Sequence, residues 1–299
     1  MRTPILCLTL LGCLAPAPTR AQQAPDRDAI LEAVDRFFNG MRARDSAMME
    51  SANHPGSTMV AVRYTGDAAV VSGGLTSSTI RRIAEGPLPG PREWLLAAEV
   101  WQDGDIASIW APYEFHTGER LSHCGYDAFN LVRDGGRWQI AGAIYTVRPD
   151  GCPTIRATAA KPLPLPEPSP DERRAVMAVV DGFTAALRTR DTAGLVRLFS
   201  PRAQWVTAGY SDQDVAIRRR PATTDVQILN RATEVLDEQL HDVVVRVDGN
   251  IALVWAPYRF LIGGRLSHCG YDAFHLVRHQ GTWFLEGGVY TTRPNGCPR

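Results

Sequence analysis

The chain has 299 residues, long enough for two domains of ordinary size, each able to bury its own core. Lys plus Arg equals Asp plus Glu at 32 each, so no net field draws it to nucleic acid or to an anionic membrane. Polyanion partners are excluded on that ground.

In chain order, Met1-Arg2-Thr3 precedes a mostly apolar run that ends before Thr19-Arg20-Ala21. This reads as a signal peptide over residues 1–21, cut after Ala21, and the run is too short for a membrane-spanning helix. An exported protein, periplasmic or secreted, with no integral membrane segment in the mature chain is therefore expected. Leu10-Leu11-Gly12-Cys13 supports a second route, a lipoprotein modified at Cys13, although only twelve residues precede the cysteine. Loss of the signal removes Cys7 and Cys13 and leaves four cysteines, an even number suited to disulfides in an oxidising compartment.

The mature part repeats itself. Residues 120–129, Arg-Leu-Ser-His-Cys-Gly-Tyr-Asp-Ala-Phe, return unchanged as residues 265–274, and Trp110-Ala-Pro-Tyr113 returns as Trp255-Ala-Pro-Tyr258. The spacing of 145 also carries Tyr145-Thr146, Arg148-Pro149 and Gly151-Cys152-Pro153 onto their partners. It becomes 146 upstream, where Arg44-Asp45 matches Arg190-Asp191. Two copies follow, residues 26–155 and 171–299, joined by a linker over 156–170 whose alternating prolines hold it extended.

Within the first copy, Ile30, Leu31, Val34, Phe37, Phe38 and Met41 have the spacing of an amphipathic helix, repeated by Val176, Val179, Val180, Phe183 and Leu187. Short helices are expected after Arg44-Asp45, near 77–84, and at the matching places of copy two. The last sixty or so residues of each copy read as a meander of about four strands. The class is α+β: a curved antiparallel sheet wrapped around about three N-terminal helices, twice over.

This order of elements, with Trp-Ala-Pro-Tyr, Ser-His-Cys-Gly-x-Asp-x-Phe-x-Leu-Val, Tyr-Thr-x-Arg and Gly-Cys-Pro, resembles the nuclear-transport-factor-2-like superfamily and its SnoaL-like branch over nearly the whole mature chain. The resemblance implies cone-shaped domains with a pocket at the open end. It also implies pairing through the outer face of the sheet, here as an intramolecular pseudo-dimer. Superfamily members include isomerases, dehydratases and hydrolases beside proteins that only bind, so fold alone names no activity.

Strand alternation puts His123 and Asp127, and likewise His268 and Asp272, on the face of Phe129, inside the cone. They are the candidate acid-base residues, yet four residues of strand separate each pair by about 13 Å. The alternative is an Asp tied off structurally. A hairpin centred on Thr117-Gly118 sets Trp110 opposite Gly125 and, in copy two, Trp255 opposite Gly270, as pocket walls. One at Gly135-Gly136 sets Arg148 beside His123 and Thr146 beside Gly125, with Thr291 and Arg293 as equivalents. In that register Tyr126, Tyr145, Tyr271 and Tyr290 face outward.

Cysteines 28 apart predict disulfides between Cys124 and Cys152 and between Cys269 and Cys297. No His-x-x-x-His falls in a segment read as helix and Cys-x-x-Cys does not occur, so no metal is expected, and no cofactor. The arginine runs at 173–174 and 218–220 read as solvated surface. The functional expectation is an exported, non-catalytic protein that binds a small apolar ligand or acts as a scaffold. Its rival is a cofactor-free lyase, isomerase or hydrolase that works through His and Asp.

Overall fold

A computed structural model describes residues 24–66, 68–212 and 214–297. The signal segment and Cys13 lie outside the described residues. Copy one runs α1 (Arg27–Ala43), α2 (Ser46–Ser51), β1 (Asn53–Thr65), β2 (Ala68–Leu75), α3 (Thr76–Ala84), β3 (Pro91–Leu95), β4 (Glu99–Asp103), β5 (Ile106–Thr117), β6 (Arg120–Asp134), β7 (Arg137–Val147) and α4 (Cys152–Ala159). Copy two runs α5 (Pro170–Thr189), α6 (Thr192–Leu198), β8 (Phe199–Tyr210), β9 (Val215–Pro221), α7 (Thr224–Arg231), β10 (Leu236–Leu240), β11 (Val244–Asp248), β12 (Ile251–Ile262), β13 (Arg265–His279) and β14 (Thr282–Thr292).

The repeated Arg-Asp step is a helix-to-helix joint. Arg44 and Arg190 close α1 and α5 in the left-handed region, at φ 55° and 58°. The Asp that follows each caps the next helix, its side chain accepting from the amides of Met48 and Gly194. At the linker's end, Ser169 and Glu172 form a capping box and Pro170 starts α5.

Each copy makes a seven-stranded sheet, ordered β2-β1-β7-β6-β5-β3 with β4 also on β5, and matched in copy two by β9-β8-β14-β13-β12-β10 with β11 on β12. The α+β class stands, and the sheets are mixed, because β1 runs parallel to β7 and β8 to β14. The strand pair after the second helix and the helix α4 have no counterpart in the expected layout. Their alternation is broken by Gly and small polar residues in Ala68–Leu75, and α4 holds only eight residues.

Apolar faces account for the packing. Ile30, Val34, Phe37 and Phe38 of α1 bury into the concave face of the first sheet with Phe129 and Ile140, and Val176, Val180 and Phe183 of α5 do the same against Phe274 and Leu285. A third buried cluster draws on both sheets: Val60, Trp101, Trp110, Ala128 and Ile144 from copy one meet Val206, Leu253, Trp255, Ala273 and Val289 from copy two. The convex faces of the two sheets thus pack on each other. Both predicted disulfides are present, with Cα separations of 5.0 and 5.7 Å, and each ties the end of its copy to the central strand.

Candidate functional site

Two register shifts decide what lies inside the cones. Between β5 and β6 an extra residue, Ser122, lies between the pairs Phe115 with His123 and His116 with Leu121, so Trp110 stands opposite Ala128. Between β6 and β7 the extra residue is Ala141, so Tyr145 stands opposite Asp127, and Arg148 bridges to Cys124. Each bulge moves a strand by one position, and one position reverses every face beyond it.

The expected pocket walls therefore sit elsewhere. Trp110 and Trp255 lie between the sheets with ring centres 5.3 Å from those of Tyr126 and Tyr271 respectively, the first pair stacked and the second tilted. Thr146, Arg148, Thr291 and Arg293 also lie on the outer side, where they form two sockets. The Thr146 hydroxyl accepts from the Tyr126 amide and donates at 2.6 Å to Asp248, which also takes Arg148 Nε at 3.0 Å. Thr291 accepts from the Tyr271 amide and donates at 2.6 Å to Asp103, which also pairs with Arg293. Arg148 lies 3.9 Å over Tyr64, and Arg293 lies 4.4 Å over Tyr210. Conversely, Tyr145 and Tyr290, expected outside, pack against the two cone cores.

Inside the first cone, Tyr113 takes the place expected for Trp110. Its ring crosses β6 at Gly125, and its hydroxyl donates to the Thr146 carbonyl at 2.7 Å. A Cβ on Gly125 would stand 1.9 Å from that oxygen and 2.7 Å from the ring, so only glycine fits. Tyr258, Gly270 and the Thr291 carbonyl repeat the arrangement, again at 2.7 Å.

His123 is buried flat against Phe115, with ring centres 4.6 Å apart, and edge-on to Tyr113 at 5.8 Å. Burial, aided by the Arg63 charge, pushes its pKa down to about 4, so it is neutral at physiological pH. His268 lies on Phe260 in the same way, its pKa lowered by burial. Neither imidazole is held in its charged form by the Asp of its own copy. The structure does not join His and Asp as a dyad.

What faces Asp127 is Glu93, on β3. The two carboxyls share a hydrogen bond, and burial first, then the neighbouring acid, raises Asp127 well above the carboxylate range. Glu93 is raised too, chiefly by burial. No donor from elsewhere reaches Asp127 Oδ2. Two acceptor-only carboxylates cannot bond each other, so the contact requires a proton held between them. In copy two, burial and then the Glu238 charge raise Asp272, burial and then the Asp225 charge raise Glu238, and Asp272 Oδ2 and Glu238 Oε1 are both without a donor.

The copies differ around this pair. Copy two adds Asp225, which takes Trp205 Nε1 at 2.7 Å and pairs with Arg220, whose guanidinium donates to Tyr290 at 3.1 Å. In the matching ladder of copy one, Met59 and Gly74 stand where Trp205 and Arg220 pair. Glu93 and Glu238 are spaced by 145, as are Tyr113 and Tyr258. That repetition was the signal available for residues that strand parity around the His-Asp segment did not reveal. Among the described residues no cluster of His, Cys, Asp and Glu could hold a metal ion, and no helix is long and apolar enough to cross a membrane.

No family model matches the chain, and no curated protein matches it. Solved structures similar to it include an NTF2-like protein of unknown function from Shewanella baltica, with 23% identity, 42% of this chain and 96% of that one covered, and a TM-score of 0.33. An NTF2-like protein from Cytophaga hutchinsonii has 13% identity, covers 40% and 98%, and has a TM-score of 0.36. A protein of unknown function with a cystatin-like fold from Nostoc punctiforme has 10% identity, covers 44% and 97%, and has a TM-score of 0.35.

Proposed function

We propose that the chain is an exported binding protein of the NTF2-like, SnoaL-like type, in which two cones joined back to back each take a small, uncharged, mostly apolar ligand. The observation that carries this reading is the buried carboxyl pair, Asp127 with Glu93 and Asp272 with Glu238: burial and the neighbouring acid raise both aspartates, and no donor reaches the Oδ2 atom of either. A pair that shares one proton accepts a hydrogen bond from a ligand hydroxyl on its remaining oxygens, and its residual charge repels an anion. Aromatic walls at Tyr113, Phe115 and Tyr145, and at Tyr258, Phe260 and Tyr290, suit an apolar body behind that hydroxyl. Export is supported by the signal pattern over residues 1–21, with modification at Cys13 as the second route. The oxidised cysteines suit the same compartment.

Acid-base catalysis without a cofactor is the second reading, and the same raised carboxyls favour it. A carboxyl titrating well above its ordinary range can give and take a proton near neutral pH. In that reading Asp127 and Asp272 exchange the proton with Glu93 and Glu238, while His123 and His268 stay neutral and line the pocket.

Mass spectrometry of small molecules retained by the protein, purified without denaturation from its native envelope, tests the first reading. A neutral compound retained by the wild type and lost from the Asp127→Asn, Asp272→Asn variant is expected. Turnover of that compound would move the assignment to the second reading. Retention of an anion would sink both.

A further inference from the structure

The two copies differ where the third helix meets the sheet. In copy two an open groove of about 430 Å³ runs beside α7. Its apolar floor is made by Ile228 and Ala232 at the helix end and by Leu236 and Ile262, which stand opposite each other on β10 and β12. Leu236 and Ile262 also pack with the core of that cone, so the floor continues into the cone interior. Strand alternation carries the same face onward: the next rung, about 7 Å along, sets Glu238 opposite Phe260. Thr224, on the groove wall, directly precedes the buried Asp225. The groove thus leads from solvent towards the carboxyls of cone two. Its rim carries one charge of each sign, Arg231 and Glu234, the second held by Arg265, so no net field at the mouth selects an ion.

Copy one pins down the matching stretch. The rung equivalent to Leu236 and Ile262 is Pro91 opposite Thr117, one step before Glu93 and Phe115 on the same face. Ahead of it runs Gly86-Pro87-Leu88-Pro89-Gly90. Arg44, at the joint between α1 and α2, donates from Nε to the Pro87 carbonyl at 2.6 Å and from Nη1 to the Ile83 carbonyl. Gly90 lies so close to the end of α1 that a Cβ there would stand 2.2 Å from the Met41 carbonyl oxygen. Arg190 holds the same joint in copy two and makes no such bond to residues 232–235.

We propose that the groove beside α7 admits and seats a neutral, mostly apolar alcohol, its body on Ile228, Leu236 and Ile262, and that Arg44 latches the equivalent entrance of copy one, so the two copies load unequally. This rests on the binding reading above and adds where the ligand lies and which copy takes it first. The volume falls within the ~300–1,000 Å³ usual for small-molecule sites. Apolar floor and balanced rim together select an uncharged body, and the carboxyl face beyond them accepts its hydroxyl.

The test uses the full chain and 4-hydroxymethylbenzophenone, a neutral apolar alcohol that cross-links on illumination, with the attachment points mapped by peptide mass spectrometry. Saturable labelling is expected within residues 227–236 and at Ile262, at least about tenfold above that of residues 83–91. Ile228→Asp, at an exposed position where the change leaves the core untouched, should weaken groove labelling at least about tenfold. Arg44→Gly suits the left-handed backbone at that joint and should raise labelling of residues 83–91 towards that of the groove. Mapping on the unaltered chain decides the matter even if neither variant folds. Labelling at Tyr113 or Tyr258 without labelling of the groove would overturn the proposal and leave the binding reading standing. Equal labelling of the two copies, full labelling of Ile228→Asp, or no saturable labelling would overturn it too. Groove labelling that persists in the Asp127→Asn, Asp272→Asn variant would instead keep the groove and count against the carboxyl pair.

Discussion

Replacing Asp127 by Asn and Glu93 by Gln removes groups that bind protons more tightly folded than unfolded. Such groups make stability fall as pH rises from the ordinary carboxylate range towards their raised folded values, because the unfolded chain releases the protons first. The wild type should therefore lose melting temperature between pH 5 and pH 9 more steeply than the double variant, as read by thermal unfolding across that range. Parallel curves would show that the pair is not protonated in the folded state. His275 has the opposite sign. Burial pushes its pKa down to about 3, so the unfolded chain takes up a proton below the ordinary imidazole range and stability falls as pH drops from about 6.5. Asn130 is its counterpart in copy one, and both line the narrow space between the sheets. His275→Asn should flatten the acid limb of the same unfolding curve while leaving the fold intact.

At the scale of elements, the disulfides hold the last segment of each copy to β6 or β13. Removing the first with Cys124→Ser and Cys152→Ser opens a 28-residue loop and should cost about 3 kcal/mol in urea unfolding. Hydrogen exchange should also quicken across α4, which begins at Cys152. Unchanged exchange there would mean that Ile155, packed on the disulfide, holds the helix without it. The cysteine pairing, the amphipathic helices and the Arg-Asp joint were legible in the sequence, because each depends on local spacing. The lining of the cones was not. It depends on strand register, and one extra residue at Ser122 and another at Ala141 reversed the faces of Trp110, Thr146, Arg148 and Tyr145. A bulge leaves no mark in a pattern of alternating residues until the partner strand is known. His123 and Asp127 keep their expected face, since both lie on the same strand as Phe129. Glu93 comes from a strand thirty-four residues away, and only folding brings it to Asp127.

For the whole molecule, the repeated Tyr-Thr-x-Arg motif belongs to the contact between copies. Asp248→Ala strands the Thr146 hydroxyl and Arg148, and Asp103→Ala strands Thr291 and Arg293. Each should cost about 1–3 kcal/mol, the two losses should be similar, and the double variant should come close to their sum. Chemical denaturation of the three variants measures this. A large loss from one and none from the other would break the equivalence.

The linker joins two bodies that already hold each other through crossed sockets and a common apolar layer. A break in the chain at the exposed Leu163 should therefore leave a single particle in size-exclusion chromatography, separable into halves only on denaturation. It also releases the copies from the constraint under which an ordinary homodimer evolves, where every change appears on both sides at once. Each substitution here appears once. Asp225, Arg220 and Trp205 stand in one cone where the other has only Met59 and Gly74 at the matching ladder positions, so two interiors of unequal polarity lie back to back behind a shared wall.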